Sequence, residues 1–208
     1  MIDLHIHSNF SDGKASVAEI AKKAKEIGLK AIAIVDHSIE LGFGLDEIKA
    51  KRREMEIEDA KAIYGIKIYS AIECGINHSG DIFLPMHDFD FIVASVHENA
   101  MNYCERIIKC IENNSVDVLG HLFSDMFEFS RDPKLEEKLI EALEAYGVAL
   151  EINSTHKCPP DDFLIKCSER KIKVSIGSDA HRLESVGKVE WSEQKRKKYL
   201  STAKLFNP

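Results

Sequence analysis

The sequence predicts an α/β fold built on a parallel sheet, and three observations predict it. Seven short apolar segments alternate with segments of helical period along the whole chain. The strand-like segments, Ala31 to Val35 above all, are apolar with little interruption, as strands covered on both faces are. No linker or low-complexity tract divides the 208 residues, so a single domain over 1–208 with a substantial core is expected. Such alternation suits an open sheet and a closed barrel equally well.

In order, Ile2–Ile6 is the first strand. Ser16 and Glu19 have capping-box spacing, and Val17, Ile20, Ala21, Ala24 and Ile27 recur at helical spacing up to a Gly28 stop. Lys30–Val35 is the second strand. A charged helix runs from about Leu45 to Tyr64, carries Ile48, Met55 and Ile63, and stops at Gly65; its charges read as a solvated face. Ile66–Ile72 is the third strand. The irregular stretch Gly75 to Asp90 follows, with His78 and His87 expected in solvent. Phe91–Val96 is the fourth strand, Ala100 to Ile111 a helix, and Val116–Leu119 the fifth strand. Asp132 and Pro133 open a helix as N-cap and first-turn residue, and it ends at Tyr146 before Gly147. Val148–Ile152 is the sixth strand, Asp161 to Arg170 a helix, and Lys173–Ser178 the seventh strand. The basic tail, about 188–208, is expected to pack on this domain and to be helical from Trp191 to Leu205. Trp191 reads as a docking aromatic and Lys195–Lys198 as a solvated face.

The net charge of -7 and pI near 5.7 argue against a nucleic-acid-binding surface as the main function. Five cysteines form no CxxC pair, and their odd number suits reduced thiols in a cytoplasmic protein. No apolar run approaches the roughly 18 residues of a membrane span, and Asp3 stands where a signal peptide would be basic and then apolar.

Each strand ends in polar residues. His5 and His7 end the first, and alternate residues of a strand share a face, so both rings are expected to point one way. Asp36-His37 end the second strand, Glu73 the third, His97 the fourth, His121 the fifth, Asn153 the sixth, and Asp179 and His181 the seventh. In a barrel these ends converge on one mouth. A single such histidine is most often structural. Six, with Asp and Glu in the other slots, are costly to bury unless a metal satisfies them. Nitrogen and oxygen donors without cysteine suit zinc, manganese or iron. His5, His7, Asp12, His37, Glu73, His97, His121, Asp179 and His181 are more ligands than one ion takes, so two or three divalent ions are expected. Asp12 also makes good turn chemistry between Ser11 and Gly13. Clustered ions sharing a hydroxide point to hydrolysis of a phosphoester, with amide hydrolysis left open. Arg182 is the best-placed cation for phosphate, because its fork matches phosphate oxygens. Lys14, His156 and Lys157 fall on expected mouth loops, and Asn153 fills a strand-end slot. Each has a plainer reading as a surface group or loop tie.

Taken together, Asp3-Leu4-His5-Ile6-His7-Ser8 with Ser11-Asp12-Gly13, Asp36-His37-Ser38, Ile72-Glu73, Ser95-Val96-His97, Gly120-His121 and Gly177-Ser178-Asp179-Ala180-His181 resemble the PHP (polymerase and histidinol phosphatase) family. The match runs from about Met1 to Gly187. The resemblance implies a distorted seven-stranded (β/α)7 TIM-like barrel, and so selects barrel over open sheet. It implies a metal-dependent phosphoesterase, commonly with three ions, whose metal-bound hydroxide would be held by His5, His7, Glu73, His97 and Asp179. One ion would be held by His5, His7, Glu73 and Asp179. A second would be bridged by Glu73 and held by His97 and His121. The third would take Asp12, His37 and His181. The chain looks most like the small stand-alone bacterial phosphatases of the family, some of which carry histidine in place of Asp12. A small phosphorylated metabolite is the expected partner, with no membrane involved and oligomeric state left open. A metal-dependent nuclease acting on oligonucleotides is the alternative, against which the acidic charge and lack of aromatic–basic interleaving tell. A non-catalytic, nucleic-acid-associated member is a further one, and such a protein would be expected to lose ligands.

Overall fold

In the computed structural model, which describes residues 1–208, seven strands lie side by side in chain order, each parallel to the next. They are β1 (Ile2–Ile6), β2 (Ala31–His37), β3 (Lys67–Gly75), β4 (Phe91–Ser95), β5 (Val118–Leu119), β6 (Ala149–Asn153) and β7 (Lys173–Gly177). Six helices intervene or follow: α1 (Val17–Glu26), α2 (Glu47–Tyr64), α3 (Tyr103–Asn113), α4 (Pro133–Tyr146), α5 (Asp161–Cys167) and α6 (Glu190–Tyr199). The sheet curls until its ends meet. Ile6 bridges Ala180 in parallel, the His7 amide donates to the Ala180 carbonyl at 2.9 Å, and the Asp179 amide donates to the His5 carbonyl at 2.9 Å. This is the expected TIM-like α/β barrel, closed at the carboxyl ends of its strands.

At the opposite end β7 has another neighbour. An eighth strand, β8 (Lys204–Leu205), pairs there with Lys173 and Val174. The tail is therefore not helical to Leu205: α6 stops at Tyr199 and the chain turns back under the barrel. A two-residue strand has no period to read, which is why the pattern does not announce it. Phe206 follows it and meets Phe91 edge-on, 5.2 Å between centroids, and Tyr69 also meets Phe91 edge-on, at 6.4 Å. Above these rings the barrel interior is filled by Leu4, Ala31, Ala33, Val35, Ala71, Val93, Val118 and Ala149. α1 and α2 cover one outer flank, and α3, α4 and α5 cover the other.

Local chemistry explains the helices. Ser16 and Glu19 form the reciprocal capping box of α1, which buries Val17, Ile20, Ala21 and Ala24; Ile27, at the cap, is 40% exposed. Asp46 caps α2, and Asp132 caps α4 with Pro133 in the first turn. α5 is shorter than expected and ends at Cys167. α2 is turned differently from a simple apolar reading. Ile48, Met55 and Ile63 face outward at about 70% exposure, while Ala50, Arg53, Ile57 and Ala60 face the sheet. On that inner side Arg53, fully buried, donates to Asp36 Oδ2 at 3.2 Å and to Ser70 Oγ at 3.1 Å, while Ile57 and Ala60 join the apolar core. His87 is also not solvated, since it packs against Phe89. His78 is in solvent as expected. Trp191 packs on the larger outer core, and Lys195 lies over its ring while pairing with Asp161. All five cysteines are free and buried. No helix is long and apolar enough to cross a membrane.

Candidate metal centre at the barrel mouth

His5 and His7 reach the mouth through a break in strand register. Asp3 is opposite Ile32 but Ile6 is opposite Ile34, so β1 carries one residue more than β2. Ile2 and Leu4 face the interior before this bulge, and Ile6 faces α1 and α2 after it. The bulge thus flips the alternation, and His5 and His7 turn inward. Without it they would share the outward face of Asp3. Their Nε2 atoms are 3.1 Å apart. Asp3 instead clamps the seam, accepting from the Ser178 amide at 2.9 Å, Ser178 Oγ at 2.6 Å and the Gly187 amide at 2.9 Å. Burial pushes its carboxyl up to about 6 against these donors.

Glu73 occupies the middle of the mouth, 1% exposed, and five histidines face it. Oε2 lies 3.6 Å from Nε2 of both His5 and His7, and 3.1 Å from His37 Nδ1. Oε1 lies 3.4 Å from His97 Nε2 and 3.1 Å from His121 Nε2, and accepts from Ser95 Oγ at 2.6 Å. Burial opposes ionisation of Glu73, but the charges of His97, His5 and His37 and the hydrogen bond from His121 hold it well below the usual carboxylate range. Asp179, at a left-handed φ of 54°, sets Oδ1 3.3 Å from His7 Nε2 and Oδ2 3.1 Å from His156 Nε2. Asp12 stands at the rim. Its Oδ1 is 3.6 Å from His7 Nδ1 and 3.7 Å from His37 Nε2, and its Oδ2 is 3.2 Å from His181 Nε2. Burial opposes its ionisation too, and the His181 hydrogen bond with the nearby imidazoles outweighs it, so Asp12 is held below its ordinary value.

All nine expected ligands therefore meet at one mouth. Donors about 2.0–2.2 Å from a tetrahedral ion stand roughly 3.3–3.6 Å from one another, close to the spacings found here. Three groups have donor atoms all within 4.8 Å: His7, Asp12, His37 and His181; His5, His7 and Glu73; and His37, Glu73 and His97. They overlap the three expected ligand sets without coinciding, since His7 also joins the rim group and His37 also joins Glu73. The buried ring nitrogens His7 Nδ1, His37 Nδ1 and both of His97 have no hydrogen-bond partner. Unpaired buried polar atoms cost about 1–3 kcal/mol each, and a cation among them would remove that cost. The residues present thus fit bound divalent ions.

Beneath this layer lies a residue that strand-end reasoning passes over. Glu151, in the middle of β6 and 1% exposed, accepts from the His121 amide at 2.8 Å and from Asn153 Nδ2 at 3.0 Å, and its Oε1 lies 2.6 Å from His5 Nδ1. Two glycines leave room for it and for Glu73. A Cβ on Gly177 would sit 2.4 Å from Glu151 Oε1, and one on Gly120 would sit 2.3 Å from Ser95 Oγ.

The expected substrate contacts are placed unequally. His156 lines the cavity of about 300 Å³ above the cluster, beside Thr155, Met126 and Phe127. Asn153 is fully buried below it, bonding Glu151, Asp179 and the His156 amide, and so ties the loops. Arg182 and Lys14 line a separate hollow of about 250 Å³ with Glu19 and Glu184, outside the cluster. The chain turns His181 inward and Arg182 outward, and the Lys14 amide bonds the His181 carbonyl, which puts both cations on that outer rim. Lys157 is exposed on a turn at φ 51°. A second cavity of about 330 Å³ shares His97 with the cluster and is walled by Glu40, Asp81, Glu98, Phe83 and Arg106.

Comparison with known proteins agrees with this geometry. The PHP domain family model matches residues 3–155. A probable histidinol-phosphatase of Thermotoga maritima is 28% identical over 210 residues, covering 90% of this chain and 87% of that protein. The DNA polymerase/3'-5' exonuclease PolX of Bacillus subtilis is 27% identical over 88% of this chain, which spans 34% of that longer protein. Among solved structures, histidinol phosphate phosphatase from Lactococcus lactis, complexed with zinc, L-histidinol and phosphate, superposes with a TM-score of 0.74 at 20% identity, over 99% of this chain and 95% of that one.

Proposed function

The chain belongs to the PHP domain family, and we propose that it is a phosphoester hydrolase that removes phosphate from a small phosphorylated metabolite with the help of two or three divalent ions. The observation that carries this reading is the split of Glu73, whose two oxygens face different sets of imidazoles. A carboxylate so placed would serve cations held on either side of it. His5, His7 and Asp179 would hold an ion on one side of it, His97 and His121 one on the other, and His37, His181 and Asp12 one at the rim. When bound, such ions lower the pKa of water and neutralise charge on phosphoryl oxygens.

The chain's own residues supply the rest. Glu151 keeps the His5 ring aimed at the mouth through Nδ1. Asn153 and Glu151 hold Asp179 and His121 in place from below. His156, half-buried against Asp179, is the side chain on the cavity wall best placed to pass a proton to a leaving alkoxide. Arg182 and Lys14 lie outside the cavity, so they steer an incoming anion and do not grip it. The leaving group fits the cavity beyond His97. Its Glu40 and Asp81 carboxylates, beside a Glu98 paired with Arg106, favour a leaving group rich in hydrogen-bond donors.

A panel of phosphomonoesters, a phosphodiester and a short oligonucleotide, assayed alongside elemental analysis of the purified protein, tests this. Metal-dependent phosphate release from monoesters supports it. Oligonucleotide cleavage without monoester turnover, or full activity of a metal-free protein, overturns it.

A further inference from the structure

The outward face of α2 carries a stripe that the fold leaves uncovered. Ile48, Arg52, Met55, Asp59 and Ile63 follow one another at steps of four, three, four and four residues, which keeps them on one side of a helix. Ile48, Met55 and Ile63 are exposed at 70%, 69% and 70%, on the side opposite the buried Ala50, Arg53, Ile57 and Ala60. Arg52 and Asp59 are exposed, and neither takes part in any ion pair of the chain. Single exposed apolar side chains are ordinary, but an aligned row of three on one helix marks a contact surface.

The row has a symmetry of its own. Ile48 and Ile63 are equidistant from a point between Met55 and Glu56, and so are Arg52 and Asp59. We propose that α2 pairs antiparallel with α2 of a second copy of this chain, about a twofold axis beside Met55. Rotation about that axis sets Ile48 on Ile63 of the second copy and Arg52 on Asp59 of the second copy, at both ends alike. The two Met55 side chains meet at the centre. An isologous interface demands this self-complementarity, each residue i meeting j where j meets i. A heterologous partner would have no reason to find opposite charges at mirror positions. The contact extends beyond the helix. Ile48 forms one edge of a hollow of about 360 Å³ walled by Ile39, Phe83 and Pro85, with Asp46 and Glu47 on its rim, and Ile63 of the second copy comes over that edge. One helix with a shallow hollow lies at the small end of specific interfaces, about 1,000–1,200 Å² in all, where association is weak and reversible. Phe83 also walls the cavity next to His97, so the dimer braces one side of the mouth.

Sedimentation equilibrium of the full chain over a hundredfold concentration range tests the pairing. The expected mass rises from 23.5 kDa towards twice that value. Arg52→Glu alone and Asp59→Arg alone are each expected to shift the midpoint to at least tenfold higher concentration, by setting like charges opposite one another. The double variant R52E/D59R, with the signs exchanged, is expected to regain dimerisation. Both sites are exposed on a helix, and circular dichroism checks that each variant folds. A second readout uses the burial of all five native cysteines. Met55→Cys is expected to cross-link to itself under mild oxidation. Ile63→Cys is not, because antiparallel pairing leaves the two copies of that residue about 22 Å apart along the axis. A chain that stays monomeric overturns the proposal. So does a dimer that ignores both charge reversals, or one in which the Ile63→Cys variant cross-links and the Met55→Cys variant does not.

Discussion

Glu151 Oε1 lies 2.6 Å from Nδ1 of His5, with both side chains 1% exposed, so the imidazole that heads the mouth is held from behind by a carboxylate that no substrate reaches. Burial works against the charge on each. The neighbouring Glu151, Asp179 and Glu73 nevertheless raise His5 well above its ordinary value, and His5 in turn lowers Glu151. Glu151→Gln keeps the shape and removes the charge. Carboxylates in this position typically contribute 10- to 100-fold to metal affinity, so this variant is expected to bind metal roughly 10- to 100-fold more weakly. Titration calorimetry with Zn²⁺ or Mn²⁺ measures it, and an unchanged affinity contradicts the positioning role.

Glu73→Gln cuts deeper, because one substitution weakens both sides of the bridge. Loss of several kcal/mol of charge stabilisation corresponds to roughly a 10³-fold fall in kcat. Metal content per chain should fall in parallel, and excess metal should restore only part of the rate. Retention of full metal content and full kcat would show that Glu73 does not bridge. Replacing His5 and His7 together by alanine is expected to abolish metal and turnover at once.

How much of this is legible in the sequence depends on what each residue needs in order to be seen. His37, Glu73, His97, His121 and Asp179 are visible because a polar residue closing an apolar strand is conspicuous in one dimension. His5 and His7 are visible as a pair, but their inward aim depends on a bulge at Asp3–Ile6 that strand alternation alone does not reveal. Glu151 stands in an apolar strand two residues before Asn153, so its shared face was legible. Its role was not, because only barrel closure brings β6 behind β1. Arg53 is one cation among many in α2, and nothing local separates it from its neighbours. Its meeting with Asp36 is a tertiary fact. Arg182 shows the converse error: adjacency to His181 in sequence put it on the opposite side of the chain in space.

The far end of the barrel offers a contrasting test. Phe206 closes it against Phe91, and its amide donates to the Val174 carbonyl at 2.8 Å. Phe206→Ala removes the ring of a partly buried residue, at an expected cost of about 1–2 kcal/mol. Urea denaturation should show that loss with metal content unchanged, since every candidate ligand lies at the other end. A loss of metal in this variant would mean that the two ends are coupled.

Acid should loosen the packing of α4 through one buried carboxylate. Glu136, 2% exposed, accepts from Arg131 Nε at 2.6 Å and from Lys166 Nζ at 2.6 Å. Burial raises its pKa, but both cations outweigh that and leave the carboxyl below its ordinary value. A carboxyl lowered on folding contributes stability above its unfolded pKa, and that stability is lost as pH falls through the folded value. Glu136→Gln is therefore expected to cost about 1.5–3 kcal/mol at neutral pH. Below about pH 4.3, where an unfolded glutamate is protonated, the gap from wild type should narrow. Urea midpoints measured from pH 7 to pH 3 check both, and a gap that widens on acidification contradicts the sign.

Gly177 tests the packing under the metal centre most directly. It lies in β7 opposite Asn153, and a methyl group there would come within 2.4 Å of Glu151 Oε1 and 2.6 Å of His5 Cβ. Neither neighbour can move freely. Glu151 is held by the His121 amide and by Asn153, and the His5 backbone is fixed by the Asp179 amide. Gly177→Ala is expected to push the His5–Glu151 pair apart and so reproduce the metal defect of Glu151→Gln, with an added stability loss of about 1–3 kcal/mol from overpacking. Combining the two substitutions discriminates the cause. If the methyl acts through this pair, metal affinity in the double variant should fall little below that of either single one, because both remove the same support. Fully additive losses would place the effect of Gly177 elsewhere in the barrel.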